Sequence, residues 1–427
     1  MKRLFTHALL LLASLLCSAQ AAFAQFSLSA EIRPRAELRN GFKTVQTDKE
    51  SAAFFIEQRS RLNVNYAHDK LALRLSVQDV RVWGGTNQVY KADPSLMNVY
   101  EAYGEYRFTP ELALRVGRQE LDYDNARFLG NLDWAQQGRS HDAVRLMYAD
   151  STGFAVHMGA AFNQNVPNEP TKLSNTFYGG LDNYKTMQYL WLHKEGRLGK
   201  VSGLFFNDGR QRATDSTVFF RQTYGVLGER KAGPVTLGGE LYYQGGKDPS
   251  GTKVSAVLAA FNATLLTKAT PLTLGVDYLS GSGATNTRNH AFAPLYGTNH
   301  GFYGFMDYFY VGNNHGQNGH TAGLTDVYLK TSFKLNPKMA LLANYHHFES
   351  PVRVVSMEDA GTKLRSRLGE ELDLVLNLNV NPEFNVKAGY SQLMATDALE
   401  ALKGKKGEGT NQWAWVMLTF KPVLFKQ

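Results

Sequence analysis

Thirteen of the 22 arginines that follow residue 24 lie between Arg33 and Arg145, and many alternate with other residues in rows shared with carboxylates. Glu31, Arg33, Arg35, Glu37 and Arg39 form one such row, and Glu57, Arg59 and Arg61 form the next. Arg74, Glu101, Glu105, Arg107 and Arg115 extend the pattern. A guanidinium group is a permanently charged planar fork that matches a carboxylate through two parallel hydrogen bonds. Rows of these groups suit an electrostatic filter for anionic solutes. They equally suit a second use, since carboxylates nearly match the arginines: mutual ion pairs that keep a wall wet and rigid. From the residues alone both uses stay open.

Other chemistries find little support. Ser140-His141-Asp142 are consecutive, whereas the members of a catalytic triad converge from separated positions. With no nucleophile elbow either, the chain reads as no enzyme. His290, His300, His315 and His320 lack tight ligand spacing, and Asp122, Asp124, Asn125 and Asp133 lack the regular spacing of a calcium loop. No metal or other cofactor is expected. Lys and Arg total 46 against 38 Asp and Glu, without a basic tract, so nucleic acid is not an expected partner.

The elements that must hold these rows show a period of two. Ile32, Pro34, Ala36 and Leu38 alternate with the first charged row, and Ile56, Leu62, Val64 and Tyr66 fall on the face opposite the second. About eighteen such runs follow one another, each about 8 to 15 residues, a length that suits a tilted strand crossing a bilayer. Their connections alternate by length. Short ones include Ala67 to Lys70, Thr109 to Pro110 and Asn336 to Lys338, and long ones include Gln119 to Arg139, Gly281 to Ala322 and Ser350 to Arg367. The expected fold is therefore all-β: a transmembrane antiparallel β-barrel of about 18 strands over 25–427, with both termini in the periplasm. If Ile32, Leu38, Leu62 and Val64 face lipid, the arginine rows face the lumen. Tyr66, Trp83, Phe108, Tyr148, Trp191, Tyr278, Tyr345, Trp413 and Trp415 are candidate girdle residues, and Trp413 to Phe420 would close the sheet on the first strand.

Lys2 and Arg3, the apolar run Leu4 to Cys17 and Ala22-Phe23-Ala24 read as a signal peptide over 1–24. The chain's one cysteine, Cys17, would leave with it, so thiol chemistry is not expected afterwards. The connection Gly281 to Ala322 holds eight glycines and eight aromatics, among them Phe302, Tyr303, Phe305, Tyr308 and Phe309. Such apolar density in a loop calls for an inward surface to cover, so these five are candidate gating residues.

The most distinctive stretch runs from Gly117-Arg118-Gln119-Glu120-Leu121 through Asp124-Asn125-Ala126-Arg127-Phe128-Leu129-Gly130 to Gly138-Arg139-Ser140-His141-Asp142-Ala143-Val144-Arg145-Leu146. Here the chain resembles the alginate export family of outer-membrane barrels. Leu295-Tyr296-Gly297-Thr298-Asn299-His300, Gly389-Tyr390-Ser391-Gln392 and Trp413 to Pro422 carry the resemblance further. It implies an eighteen-stranded outer-membrane porin with an arginine-rich pore passing an anionic polysaccharide, partly gated by a loop. Arg118, Arg127, Arg139 and Arg145 would then be constriction arginines. Implied partners are an anionic sugar or small-anion solute, outer-membrane lipid and the barrel assembly machinery. These barrels usually end on an aromatic residue, and here Lys426 and Gln427 follow Phe425. The competing reading is a structural or adhesive barrel whose outer loops bind partners while an ion-paired lumen conducts little.

Overall fold

The computed structural model describes residues 25–85, 97–163, 184–212, 217–267, 270–283, 285–309, 315–317, 319–359, 361–407 and 409–427. The leader expected from the sequence, parts of six long connections and part of one short turn lie outside the described residues. Eighteen antiparallel strands form one sheet that closes on itself. They are β1 (Gln25–Asn40), β2 (Ala53–His68), β3 (Leu71–Val82), β4 (Met97–Arg107), β5 (Leu112–Gln119), β6 (His141–Ala149), β7 (Phe154–Phe162), β8 (Thr186–Gly196) and β9 (Gly199–Gln211). The ring continues through β10 (Val218–Ala232), β11 (Val235–Gly246), β12 (Ala256–Leu266), β13 (Pro271–Leu279), β14 (Leu324–Asn336), β15 (Met339–Glu349), β16 (Arg367–Asn381), β17 (Phe384–Ala395) and β18 (Asn411–Phe420). A four-residue segment, β19 (Val423–Lys426), continues the last stave past Pro422. Proline has no N–H to donate, which accounts for the break.

Closure runs through β1, which pairs with β2 on one side and with β18 and β19 on the other, for example Arg35 with Met417 and Arg39 with Trp413. Every strand thus has two neighbours, and no edge is left with unpaired backbone groups in an apolar medium. Alternation does the rest. Ile32, Leu38, Leu62, Leu73, Val116 and Val144 are exposed outside, while Arg33, Arg35, Glu37 and Arg59 are buried within. Eight short connections lie at one rim together with both described ends of the chain; the long connections lie at the other.

The girdle expectation holds for Trp83, Phe108, Tyr148, Tyr278 and Tyr345, whose rings are exposed. It fails for Trp191, Trp413 and Trp415, which are buried on the lumenal face. Their positions share parity with inward neighbours such as Tyr189 and Met417, and aromatic type alone carries no information about side. At the long-loop rim a short helix, α1 (Asp397–Lys403), buries Ala398, Leu399, Ala401 and Leu402. Gly404 ends it in the left-handed conformation, φ 65°.

Candidate functional site

The lumenal wall of β1–β6 carries nine of the twelve arginines expected at the pore, and most have a carboxylate partner. Arg35 donates to Glu37 at 2.7 Å and Glu57 at 3.2 Å, and Arg39 donates to the other oxygen of Glu37 at 2.8 Å. Arg59 pairs with Glu31 and with Asp133 at 2.8 Å. Arg33 reaches Asp133 at 3.3 Å. Arg74 holds Glu101 at 2.9 Å, while Arg115 at 2.6 Å and Arg107 at 3.3 Å share Glu105. Arg61 and Arg145 differ: among the described residues neither has a carboxylate within ion-pair distance. Arg61 is held by Gln78 at 2.7 Å over the Tyr100 ring, and Arg145 donates to the Tyr123 hydroxyl at 3.3 Å.

Two long connections fold into this lumen. Residues 120–140 enter between β5 and β6, and the described residues of 280–323 between β13 and β14, eight strands further round the ring of eighteen. They meet and zip together. Leu129 and Tyr296 form a parallel bridge, with Gly130 N–H donating to the Tyr296 carbonyl at 3.1 Å, Tyr296 N–H to Phe128 at 3.0 Å and Thr298 N–H to Ala126 at 2.8 Å. Gly297 lies so close to the Arg127 carbonyl that a Cβ there would overlap it. Arg139 adds hydrogen bonds to the carbonyls of Tyr296 and Gly297. Six non-glycine residues of these loops, Asp124, Ala126, Leu132, Leu295, Tyr303 and Asp307, hold positive φ, a conformation kept only where the surroundings enforce it.

The zipped loops are tied to the wall all round. Arg127 crosses to β11 and β13, donating to Glu240 at 2.9 Å, to Asp277 at 2.9 Å and to the Tyr303 hydroxyl at 2.6 Å, with its guanidinium 4.0 Å from the Phe302 ring centre. Burial works against the Arg127 charge, yet Asp277, Tyr303 and Glu240 raise its pKa well above the ordinary value. On the other side, Asp133, Trp134 and Gln136 take the donors of Arg33, Arg35 and Arg59. Burial alone would raise the Asp133 carboxyl; Arg59 and Arg33 instead hold it down at about 2.

Four of the five expected gating residues serve as anchors. Tyr303 binds Arg127, Tyr308 donates to the carbonyls of Gly41 and Thr44 at 2.6 and 2.7 Å, Phe309 packs on Phe348, and Phe305 lies against His300. The fifth, Phe302, covers Arg127. Next to them a cavity of about 320 Å³ remains, lined by Arg35, Arg39, Phe42, Lys43, Glu57, Trp134, His300 and Asp307 among others.

One expected pore arginine is elsewhere. Arg118 lies on the outer face with Val116, where it makes a two-pronged pair with Asp142 at 2.7 and 2.9 Å. Strand parity decides this, because Arg115 faces inward and Arg118 is an odd number of residues away. Arg127 and Arg139 lie in the lumen as struts of the zipped loops. Reading residues 33–145 alone also passed over the far wall. There Asp277, Asp326, Glu371 and Asp373 are buried, with Lys330 among them. The period-two pattern that exposed the arginine rows was equally present in β13–β16 and could have shown this.

The family model for alginate export matches residues 24–412. No curated protein matches the chain. Among solved structures, Pseudomonas aeruginosa OpdL is 13% identical with a TM-score of 0.62, over 94% of this chain and 99% of its own. OpdK of the same organism, solved with vanillate, is 11% identical with a TM-score of 0.59, over 93% and 98%. A BenF-like porin from Pseudomonas fluorescens Pf-5 is 11% identical with a TM-score of 0.57, over 93% and 99%. At these identities the likeness is one of fold, an outer-membrane porin barrel. With a model match across nearly the whole barrel, the chain belongs to the alginate export family.

Proposed function

We propose that this outer-membrane channel passes anionic oligo- or polysaccharides, or other small anions, through its arginine-lined lumen. The observation that carries the reading is the cavity beside the zipped loops. It brings the guanidinium groups of Arg35 and Arg39, both paired with Glu37, and the Lys43 ammonium together with the rings of Phe42, Trp134 and His300, with Glu57 and Asp307 on the same lining. Cationic forks suit the carboxylates of a uronate, and aromatic faces suit the apolar face of its ring. Arg61 and Arg145, without carboxylate partners among the described residues, add positive charge to the passage. The vanillate of the OpdK structure, a carboxylate in a barrel of the same fold, supports the solute class. On this reading the short-turn rim and both termini face the periplasm. Outer-membrane lipid surrounds the apolar belt, and the barrel assembly machinery inserts the chain.

One observation favours a second reading. The zipped loops occupy much of the lumen and most inward arginines are paired, as in a structural or adhesive barrel with little conductance. Single-channel recording in planar bilayers separates the two. The channel reading expects discrete conductance that uronate oligomers block and neutral oligomers of equal length do not. Silence in an assembled, inserted barrel favours the second.

A further inference from the structure

The connection between β15 and β16 forms a two-stranded ribbon at the long-loop rim. Leu364 N–H donates to the Val354 carbonyl and Ser356 N–H to that of Thr362, both at 2.9 Å, and Val355 bridges Lys363 between them. That register gives the ribbon two unlike faces. On one, the fully buried Val354 and the partly buried Val352 and Leu364 join the apolar cluster that holds Phe309 and Phe348. The Val355 backbone exchanges two hydrogen bonds with the Gln317 side chain of the 280–323 connection, at 2.6 and 2.9 Å. The ribbon is thus seated on the plugging loop, and its other face is turned away.

That other face carries Arg353, Lys363 and Arg365, all exposed. The register sets Arg353 opposite Arg365, and like charges directly across two strands weaken the pairing. Nothing on the ribbon relieves them. Its acidic residues sit at the tip and are engaged there: Glu358 with Lys406 at 3.4 Å, and Asp359 with the Gly361 N–H and the Thr362 hydroxyl at 2.9 and 2.7 Å. Glu370, at the start of β16, is held by Arg367 at 2.6 Å and by His347 at 3.0 Å. Among the described residues, Arg353, Lys363 and Arg365 have no ion pair and no side-chain hydrogen bond.

We propose that this face binds a carboxylate-bearing polysaccharide and holds the chain beside the entrance of the lumen. This rests on the reading of the lumen as a passage for anionic sugars, and gives the same solute a second contact outside it. Side chains two residues apart on one face of a strand are spaced by about 7 Å. A polymer with a carboxylate on every sugar engages several such cations together, each contact raising the effective concentration for the next. A lone small anion engages one and is lost to salt. A phosphate-bearing lipid of the outer leaflet suits the face less well, because the ribbon leans inward on the plugging loop rather than out over the apolar belt.

The test reads the ribbon itself, apart from conductance. Acylation of Lys363 is timed by mass spectrometry on the assembled barrel in low-salt detergent, with the exposed Lys338 of a short turn as internal reference. A polyuronate, a neutral glucan of equal length or lipopolysaccharide is added. Polyuronate at saturation is expected to slow Lys363 about tenfold relative to Lys338, and the glucan to leave it unchanged. The slowing should vanish at about 1 M salt and fall below about twofold in Arg353→Ser/Arg365→Ser. No slowing by polyuronate, or equal slowing in the double variant, overturns the proposal. Slowing by lipopolysaccharide alone also overturns it and assigns the face to the outer leaflet. If the double variant fails to show the heat-dependent gel shift of an assembled barrel, Arg353→Gln takes its place under the same outcomes. A barrel that never conducts would defeat the reading of the lumen, while the acylation rates still decide the ribbon.

Discussion

Arg127 illustrates why residue type alone cannot separate a pore arginine from a strut. Its side chain donates to Glu240, Asp277 and Tyr303 at once, which ties it into the wall as a brace between two strands and a loop. Arg127→Met would leave two buried carboxylates without their cation, a loss of about 3–5 kcal/mol for a buried pair. The expected result is a plug released while the barrel survives: higher single-channel conductance with an unchanged gel shift. Asp133 anchors the opposite end of the same loop, and its acid dependence has a definite sign. Its carboxyl is held at about 2, so the docking it provides is fully present above the ordinary carboxyl range near 4 and is lost as pH falls from about 4 through about 2. Hydrogen exchange of residues 131–137, corrected for intrinsic rates, should show protection at pH 5 that falls by pH 2.5. In Asp133→Asn that difference should be absent.

Strands and loops were unequally legible. Period-two alternation, as in Glu31 to Arg39 against Ile32 to Leu38, displays both faces of a strand directly, and eighteen runs with alternating connections left a closed barrel as the natural solution. The same parity, applied strictly, places Arg118 outside; membership of the motif stretch is the weaker guide. Inward folding of 281–322 could be inferred from its aromatics, but its partner could not. The meeting of Phe128–Gly130 with Tyr296–Thr298 joins segments about 170 residues apart, and no local pattern encodes it. Gly297 is the exception in hindsight, since only glycine fits against the Arg127 carbonyl. Gly297→Ala should cost about 1–3 kcal/mol by overpacking and unzip the two loops together. Hydrogen exchange in 126–130 and 295–298 should then rise in concert while strand amides stay protected; a rise on one side alone would show that the loops dock independently.

At the scale of the whole molecule, charge is divided across the lumen: arginine rows on β1–β6 and a buried acidic group on β13–β16, bridged by Arg127. The central claim is that the net effect along the open path is a preference for anions, to which Arg35 and Arg39 contribute at the cavity and Arg145 adds charge that no described carboxylate pairs. Nearby Glu105 and its neighbours cancel part of that field, so selectivity should be moderate and should fade as the Debye length shrinks from about 10 Å at 0.1 M salt to about 3 Å at 1 M. The most direct measurement is the reversal potential across a salt gradient for the parent, Arg145→Ala and Arg118→Ala. Anion selectivity in the parent, reduced in Arg145→Ala and unchanged in the outward-facing Arg118→Ala, is the predicted result. Cation selectivity in the parent, or a parent and Arg145→Ala that cannot be told apart, would contradict it.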